Sequence, residues 1–562
     1  MVVILIVQTM PAHTLKIIDK MPAFVVFGMT LSFVYLVLNE SNESKLLSVL
    51  DFTSKFLDLT LSQMKNKYIL LLLLIVSSLQ AYSQSTDKIK ISALAKIKGA
   101  KPRNVIFILT DDHRNDFMGF TGRLPWLKTP HMDRLYKEGA WFKNAFVTTA
   151  LCSPSRASIL TGEYSHVHTI VDNIAPEPPN LIYFPQYLQK AGYQTAFLGK
   201  WHMGDDDDYP RPGFQHWESF KGQGEYYNPT LNINGKQVSY KDSTYITDLL
   251  TEHSVSWLEA RDKSKPFFLY LSHKAVHSPL APAKRHVGMY RNQKYKLPST
   301  YHQTISDEYK KLNWPEWVKQ QRYSWHGVDY PYHTHQNIEE LVQLYCETLS
   351  GVDESIGTIL EYLRKEGLDK NTLVIYMGDN GFSMGEHGLI DKRHFYEESA
   401  KVPFLVYCPE IFSGDKVVSK LIQNVDVAPT ILAAAGLQSP SNMPGKSFLP
   451  LLKGDSTNWR DKIFYEYFWE YDFPMTPTVF GVRSDKYKYI RYYGIWDTNE
   501  LYDLEKDPGE TTNLIDKEEY AKVAQELAGE LFNWLEQTRG MQIPLKRTIK
   551  KPFGDYRHSK MY

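Results

Sequence analysis

Cysteine is scarce in this chain: Cys152, Cys346 and Cys408 are the only three among 562 residues. An odd, sparse set excludes a disulfide framework and leaves at least one thiol to explain. Excess charge of either sign is also missing, with Lys+Arg and Asp+Glu at 64 each. No global field therefore points to nucleic acid or to an anionic membrane surface, and neither is expected as a partner. Internal repeats and long low-complexity tracts are lacking too, which sets aside solenoid and disordered arrays. Polar dominance is absent: 43% of the residues are hydrophobic, too many for a disordered protein and enough for one large core with a smaller domain beside it.

What is present begins with the N-terminus. From Met64 the chain reads MKNK, then an apolar run Tyr68–Leu79, then Ala81-Tyr82-Ser83-Gln84. A basic start, an apolar run of this length and a small-residue site form the pattern of a secretory signal over 64–84, so a periplasmic or secreted protein is expected. The run is short for a membrane span, and no cysteine follows it to carry a lipid. Residues 1–63 hold a second apolar stretch, Ala23–Leu38. They are read as a start-site extension, with a membrane anchor as the other reading.

Beyond a Lys-rich leader at 85–100, Asn104–Thr110 (NVIFILT) is a continuous apolar run that reads as a buried parallel strand. Similar runs recur at Thr195–Leu198, Pro266–Leu271, Thr372–Tyr376 and Pro403–Tyr407. Helical stretches lie between them, at His131–Glu138, Ser155–Leu160, Tyr245–Ala260, Asn337–Glu366 and Val425–Ala435. This alternation predicts an α/β fold with a large, mostly parallel sheet sandwiched by helices over 85–440. From about 441 the texture changes to short strands at Phe464–Trp469, Gly481–Tyr492 and Asn499–Leu504, closed by a helix near Glu518–Arg539. That predicts a smaller antiparallel subdomain over 441–562.

Asp111 and Asp112 directly follow the first predicted strand, and Gly378-Asp379-Asn380-Gly381 follows the Thr372–Tyr376 strand. Ligands of open α/β sheets bind beyond the carboxyl ends of strands. Each pair alone reads as a cap or a turn. Together, four oxygen-bearing residues at two strand ends resemble a Ca²⁺ or Mg²⁺ site. The segment Cys152-Ser153-Pro154-Ser155-Arg156, continuing Ala-Ser-Ile-Leu-Thr-Gly, sets a cysteine at a helix start, where a lowered pKa and a reactive thiol are expected.

That segment resembles the signature of the type I, formylglycine-dependent sulfatases of the alkaline phosphatase superfamily, in which Cys-x-Pro-x-Arg directs oxidation of the cysteine to formylglycine (3-oxoalanine). The resemblance extends through NVIFILTDDHR, TPHMDRL, GKWHMG, HKAVHSP, GDNG and NELYDLEKDPGETTNL, roughly residues 102–515. It implies an alkaline-phosphatase-like fold and Ca²⁺, with Mg²⁺ possible, held by Asp111, Asp112, Asp379, Asn380 and the modified Cys152. It also implies a maturation partner, either a formylglycine-generating or an anaerobic sulfatase-maturating enzyme. Formylglycine at 152 would be the nucleophile and Arg156 its partner. Lys200 and Lys392 would hold the sulfate. His202 is the expected base and His277 the expected proton donor to the leaving sugar oxygen, roles that suit a group titrating near neutrality and that the sequence allows the two to exchange. His273 is an alternative to His277, and Arg393 or His394 could share the task of Lys392. His113 is expected to shape the acid loop, Asp205–Asp208 to be a solvated run, and Cys346 and Cys408 to be buried thiols.

The segments GLIDKRHFYEES and TPTVFGVRSDKYKYI resemble carbohydrate sulfatases, either N-acetylglucosamine-6-sulfatase-like or acting on algal polysaccharide of the ulvan type. A sulfated oligo- or polysaccharide is the expected partner. Trp314, Trp317 and Trp325 in an insertion at 283–335, with Trp469, Arg483 and Trp496 further on, are candidates for sugar contact, and plain packing is their other reading. Two rivals remain at this point: a phosphomonoester or phosphonate monoester hydrolase, and a glycan-binding protein with a dead site.

Overall fold

A computed structural model describes residues 91–544 apart from 205–206, 303, 325, 330–336 and 472. The segments read as an N-terminal extension (1–63) and a signal (64–84) lie outside the described residues, as do Asp205, Asp206 and Trp325.

The continuous apolar run Asn104–Thr110 is the middle of a ten-stranded sheet. On one side of it lie, in order, Thr372–Gly378, Phe404–Tyr407, Ala140–Phe142 and Lys416–Val418; on the other lie Phe267–Ser272, Gln194–Gly199, His216–Ser219, Thr230–Ile233 and Lys236–Ser239. The five strands from Thr372–Gly378 to His216–Ser219 are mutually parallel. Their apolar character is continuous because both faces are covered. Alternate residues of the first strand serve the two faces. Val105, Phe107 and Leu109 join a core with Ile159 and Ile431, from the helices Cys152–Thr161 and Val427–Ala434. Ile106 and Ile108 join another with Leu249 and Ile356, from the helices Ile246–Ala260 and Ile338–Lys365. The last of these starts on Asn337, whose side chain accepts from Glu340 N at 2.9 Å, and ends on Arg364 and Lys365, charges that suit the helix dipole.

The smaller sheet is an antiparallel meander of Lys462–Tyr467, Thr478–Ser484, Tyr487–Tyr493 and Glu500–Asp503. The helix Ala521–Thr538 lays Leu531, Trp534 and Leu535 on Phe480, Val482 and Leu501. Ile463, Tyr465 and Val479 reach into the same core as Val105, so the small sheet is fused to the large one.

Two expected strands are refined and one further element is added. The Phe404–Tyr407 strand runs antiparallel to Thr372–Gly378, a direction that a short apolar run does not encode. The stretch Gly481–Tyr492 belongs to two strands joined at Asp485-Lys486. An antiparallel hairpin, Thr230–Ile233 with Lys236–Ser239, extends one edge of the large sheet; its second strand is exposed throughout, so no apolar pattern announced it.

Candidate active site

The acids meet because their strands are neighbours in register. Thr110 pairs with Gly378 across the two parallel strands, so Asp111-Asp112 and Asp379-Asn380 emerge at one level. Asp379 N donates to Thr110 O at 2.9 Å, and Asp112 N to Asp379 Oδ1 at 3.1 Å. Asp112 holds a left-handed backbone (φ 53°), a conformation that costs energy and is retained where a side chain must be aimed. Oxygens of Asp111, Asp112 and Asp379, all buried, lie within 4.8 Å of one another. Asn380 spends its Nδ2 on Asp112 Oδ1 (2.7 Å) and Gly381 O (2.9 Å), which leaves its Oδ1 buried with no donor. Three converging carboxylates and an orphaned amide oxygen form a hard-donor set that fits a divalent cation of the Ca²⁺ or Mg²⁺ kind.

Three cations surround the acids. Arg156, four residues into the Cys152–Thr161 helix, donates through Nε to Asp379 Oδ2 at 2.9 Å and through Nη1 to Ser272 Oγ at 2.8 Å. Lys200 follows Gly199, whose φ is +118°; a Cβ there would sit 1.8 Å from Ser272 O, so only glycine lets the two strand ends close up and deliver the lysine. Lys200 Nζ donates to Asp111 Oδ2 and to Gln223 Oε1. Lys392 Nζ donates to Asp112 Oδ1 and lies 2.9 Å from Cys152 Sγ, which itself is 3.4 Å from Asp111 Oδ1. The sulfur thus stands between the acids and a lysine, at the first residue of its helix.

Here the expectation of an acidified thiol is corrected. Burial, with Asp111 adding to it, pushes the Cys152 thiol up to about 12 against the pull of Lys200 and Lys392. All ten residues of the helix are buried, and a helix terminus without solvent does not offset that desolvation. With no cation bound, the unmodified cysteine therefore holds its proton at neutral pH.

Both histidines face the same place. His202, also left-handed (φ 55°), has Nε2 3.1 Å from Gln223 Nε2 and Nδ1 3.5 Å from Ser153 Oγ. His277 donates Nδ1–H to Ser278 O at 2.5 Å and sets Nε2 3.8 Å from Asp112 Oδ2. Burial, joined by Lys200, holds both imidazoles well below their ordinary range. The expectation that they titrate near neutrality in the resting protein is corrected: both are neutral there.

The remaining candidates along the sequence point in different directions. His273 turns away to Ser355 Oγ (3.1 Å), on the Ile338–Lys365 helix. Arg393, with φ of 86°, swings to Asp391 (2.7 Å) and Glu470 (2.8 Å), and His394 lies 3.1 Å from Ser383 Oγ; Lys392 alone of the three reaches the sulfur. His113 braces the acid loop through Tyr376 OH (2.6 Å) and Phe117 O (3.0 Å). Cys346 and Cys408 are buried free thiols. Trp314 and Trp317 pack inside the protein, against His387 and Tyr492, so neither offers a face to a sugar. Arg483 is buried on Glu397, whereas Trp469 and Trp496 are exposed. Sequence reasoning missed Gln223, Ser272 and Ser153, small or neutral residues that carry no signal of their own. No helix among the described residues is long and apolar enough to cross a membrane.

With this geometry in hand, the likeness to known proteins is informative. Residues 103–437 match the Sulfatase family, and residues 385–537 match the family N-sulphoglucosamine sulphohydrolase, C-terminal. An N-acetylglucosamine-6-O-sulfatase of Bacteroides thetaiotaomicron is 33% identical over 84% of this chain and 95% of its own length. The N-acetylglucosamine-6-sulfatase of Homo sapiens is 32% identical over 66% of this chain and 68% of its own. A solved protein in complex with its substrate D-glucosamine-2-N,6-O-disulfate superposes with a TM-score of 0.70 at 32% identity, over 80% of this chain and 100% of that one. The chain belongs to the sulfatase family and is a sulfuric ester hydrolase of the alkaline-phosphatase fold.

Proposed function

We propose that the protein removes sulfate from a sulfated amino-sugar glycan, during degradation of a sulfated oligo- or polysaccharide, with formylglycine at position 152 and one divalent cation, Ca²⁺ or Mg²⁺. The observation that carries this reading is the convergence of Cys152 Sγ, three acid oxygens and three cationic side chains on one buried point. Asp111, Asp112, Asp379 and Asn380 would hold the cation. When bound, the cation and the hydrated aldehyde would supply a nucleophile able to expel sulfate by re-forming the carbonyl. A buried thiol that holds its proton is a poor nucleophile, in keeping with that modification.

The chain's own groups do the rest. Arg156, Lys200 and Lys392 balance the three acids charge for charge, so a divalent cation makes the pocket net positive and suited to an anionic ester. His202, neutral with a lone pair, takes a proton. His277 has its Nδ1–H committed to Ser278 O, so only a protonated Nε2 can give a proton to the leaving sugar oxygen. The negative charge of a bound sulfate ester favours that protonated form. Residues 85–440 would form the catalytic domain and 441–562 its subdomain. The 64–84 segment would direct export to the periplasm or beyond, and a formylglycine-generating or anaerobic sulfatase-maturating enzyme would act on Cys152.

The substrate class rests on the relatives that act on 6-sulfated glucosamines. The test is sulfate release from 6-sulfated N-acetylglucosamine, glycosaminoglycan fragments, ulvan and carrageenan oligosaccharides, with matching phosphate esters, by protein carrying the aldehyde. Release confined to the amino-sugar esters is expected. Release confined to phosphate esters would overturn the reaction, and release confined to the algal glycans would overturn the substrate.

A further inference from the structure

The segment Lys221–Asn228 lies beyond the His216–Ser219 strand and carries no residue of the expected catalytic set. Two of its residues nonetheless touch that set, at three points. Gln223 contacts both Lys200 and His202, and Tyr226 OH donates to His277 O at 2.8 Å. Gly222 (φ 51°) and Gly224 (φ 66°) flank Gln223, and a Cβ on Gly224 would lie 2.4 Å from the Phe220 ring. The turn is therefore closed in a way only glycine permits, and it delivers one amide side chain to the pocket.

The orientation of that amide follows from its neighbours. A lysine ammonium has donors only, so the oxygen of Gln223 faces Lys200 and the NH₂ faces His202. The atom receiving the NH₂, His202 Nε2, must then be the nitrogen without a proton. The proton sits on Nδ1, beside Ser153 Oγ. We propose that Gln223 is a positioning residue for sulfate-ester hydrolysis: its carbonyl oxygen steadies Lys200, and its NH₂, donating to His202 Nε2, holds the ring in the tautomer with the proton on Nδ1 and keeps Nε2 as the basic nitrogen, which the amide releases when a proton arrives. One neutral side chain thereby aligns the residue expected to hold sulfate with the one expected to receive a proton. The inference rests on the sulfatase reading above for the roles of Lys200 and His202, but the tautomer stands on its own geometry.

The test uses full-length protein with the aldehyde at 152 verified by mass spectrometry. Gln223→Glu keeps an acceptor for Lys200 and turns the donor facing His202 into a second acceptor; Gln223→Ala removes both contacts. Both variants are expected to lower kcat about a hundredfold, the cost of a misplaced catalytic group, while KM changes by less than about threefold and Tm stays put. A wild-type kcat in Gln223→Glu would overturn the proposal, because a space-filling or Lys200-only role is rescued by the isostere. Independently, ¹⁵N-histidine NMR, with His202→Gln to assign the signal, should find Nδ1 protonated and Nε2 bare in the wild type, reversing in Gln223→Glu. A wild-type Nε2–H overturns the proposal as well. If the wild type with its aldehyde releases no sulfate from any ester, the reading beneath fails instead, and the NMR result still decides what Gln223 does to His202.

Discussion

Two buried clusters of charge in this protein are built from the same side chains and serve opposite ends. At the seam between the large and small sheets, Lys488 Nζ lies between Glu397 Oε1 (2.9 Å) and Glu510 Oε1 (2.7 Å), and Arg483 Nε meets Glu397 at 2.9 Å. The acids there are separated by cations. At the active site, three acids crowd together and the cations stand outside them, with the oxygen of Asn380 left over. Buried charge that is interleaved fixes two elements against each other; buried charge that converges asks for another ion.

That contrast can be broken first at Cys152. Cys152→Ala should lower sulfate release by about 10⁴-fold or more while leaving Tm unchanged; release that survives would remove position 152 from the chemistry. The seam should answer the other way. Lys488→Met strands buried acids and should cost about 3–5 kcal/mol of stability, read in a denaturant titration, with kcat of the folded fraction intact. A matching loss of kcat would mean that the two clusters are not separate. Next, protein stripped with EDTA should gain about 2.7 kcal/mol of stability at a Ca²⁺ or Mg²⁺ concentration a hundredfold above Kd, and Asp112→Asn should abolish the gain. A gain that persists in the variant would place the ion elsewhere.

The smallest effect sharpens the seam. Burial, with Glu510 adding, pushes Glu500 up to about 7 despite the hydroxyls of Tyr396, Tyr492 and Tyr502. A carboxyl whose folded pKa is raised binds its proton more tightly in the folded state. Its contribution is full below about pH 4.5, the unfolded value, and is lost as pH climbs through about 7. Tm should therefore slip by roughly 1 °C for each kcal/mol lost between pH 5 and 8, and Glu500→Gln should flatten that slope.

How much of this was legible in advance differs between the two clusters. The candidate site residues sit at strand ends and inside a tight motif, so Asp111, Asp379 and Cys152 announce themselves through the apolar runs and the CSPSR segment that precede or contain them. Direction was not legible. Which of Lys392, Arg393 and His394 faces the pocket depends on the left-handed turn at Arg393, and the fate of Trp314 depends on a partner, His387, 73 residues away. Environment was not legible either: a helix start suggests an acidic thiol, whereas complete enclosure makes Cys152 the reverse. The seam was invisible, because Glu397, Lys488 and Glu510 become partners only when the small sheet docks. Gln223 was invisible for a plainer reason, since a neutral amide in a glycine turn carries no chemistry until its neighbours are known.

The enclosure of the Cys152–Thr161 helix also sets an order of events. None of its ten residues is left at the surface, and the Val427–Ala434 helix joins its core from a part of the sequence made much later. An enzyme that modified the side chain at 152 would reach it most readily while this stretch is still an open chain. On that reading folding is a deadline as well as a destination for any enzyme that would act on position 152.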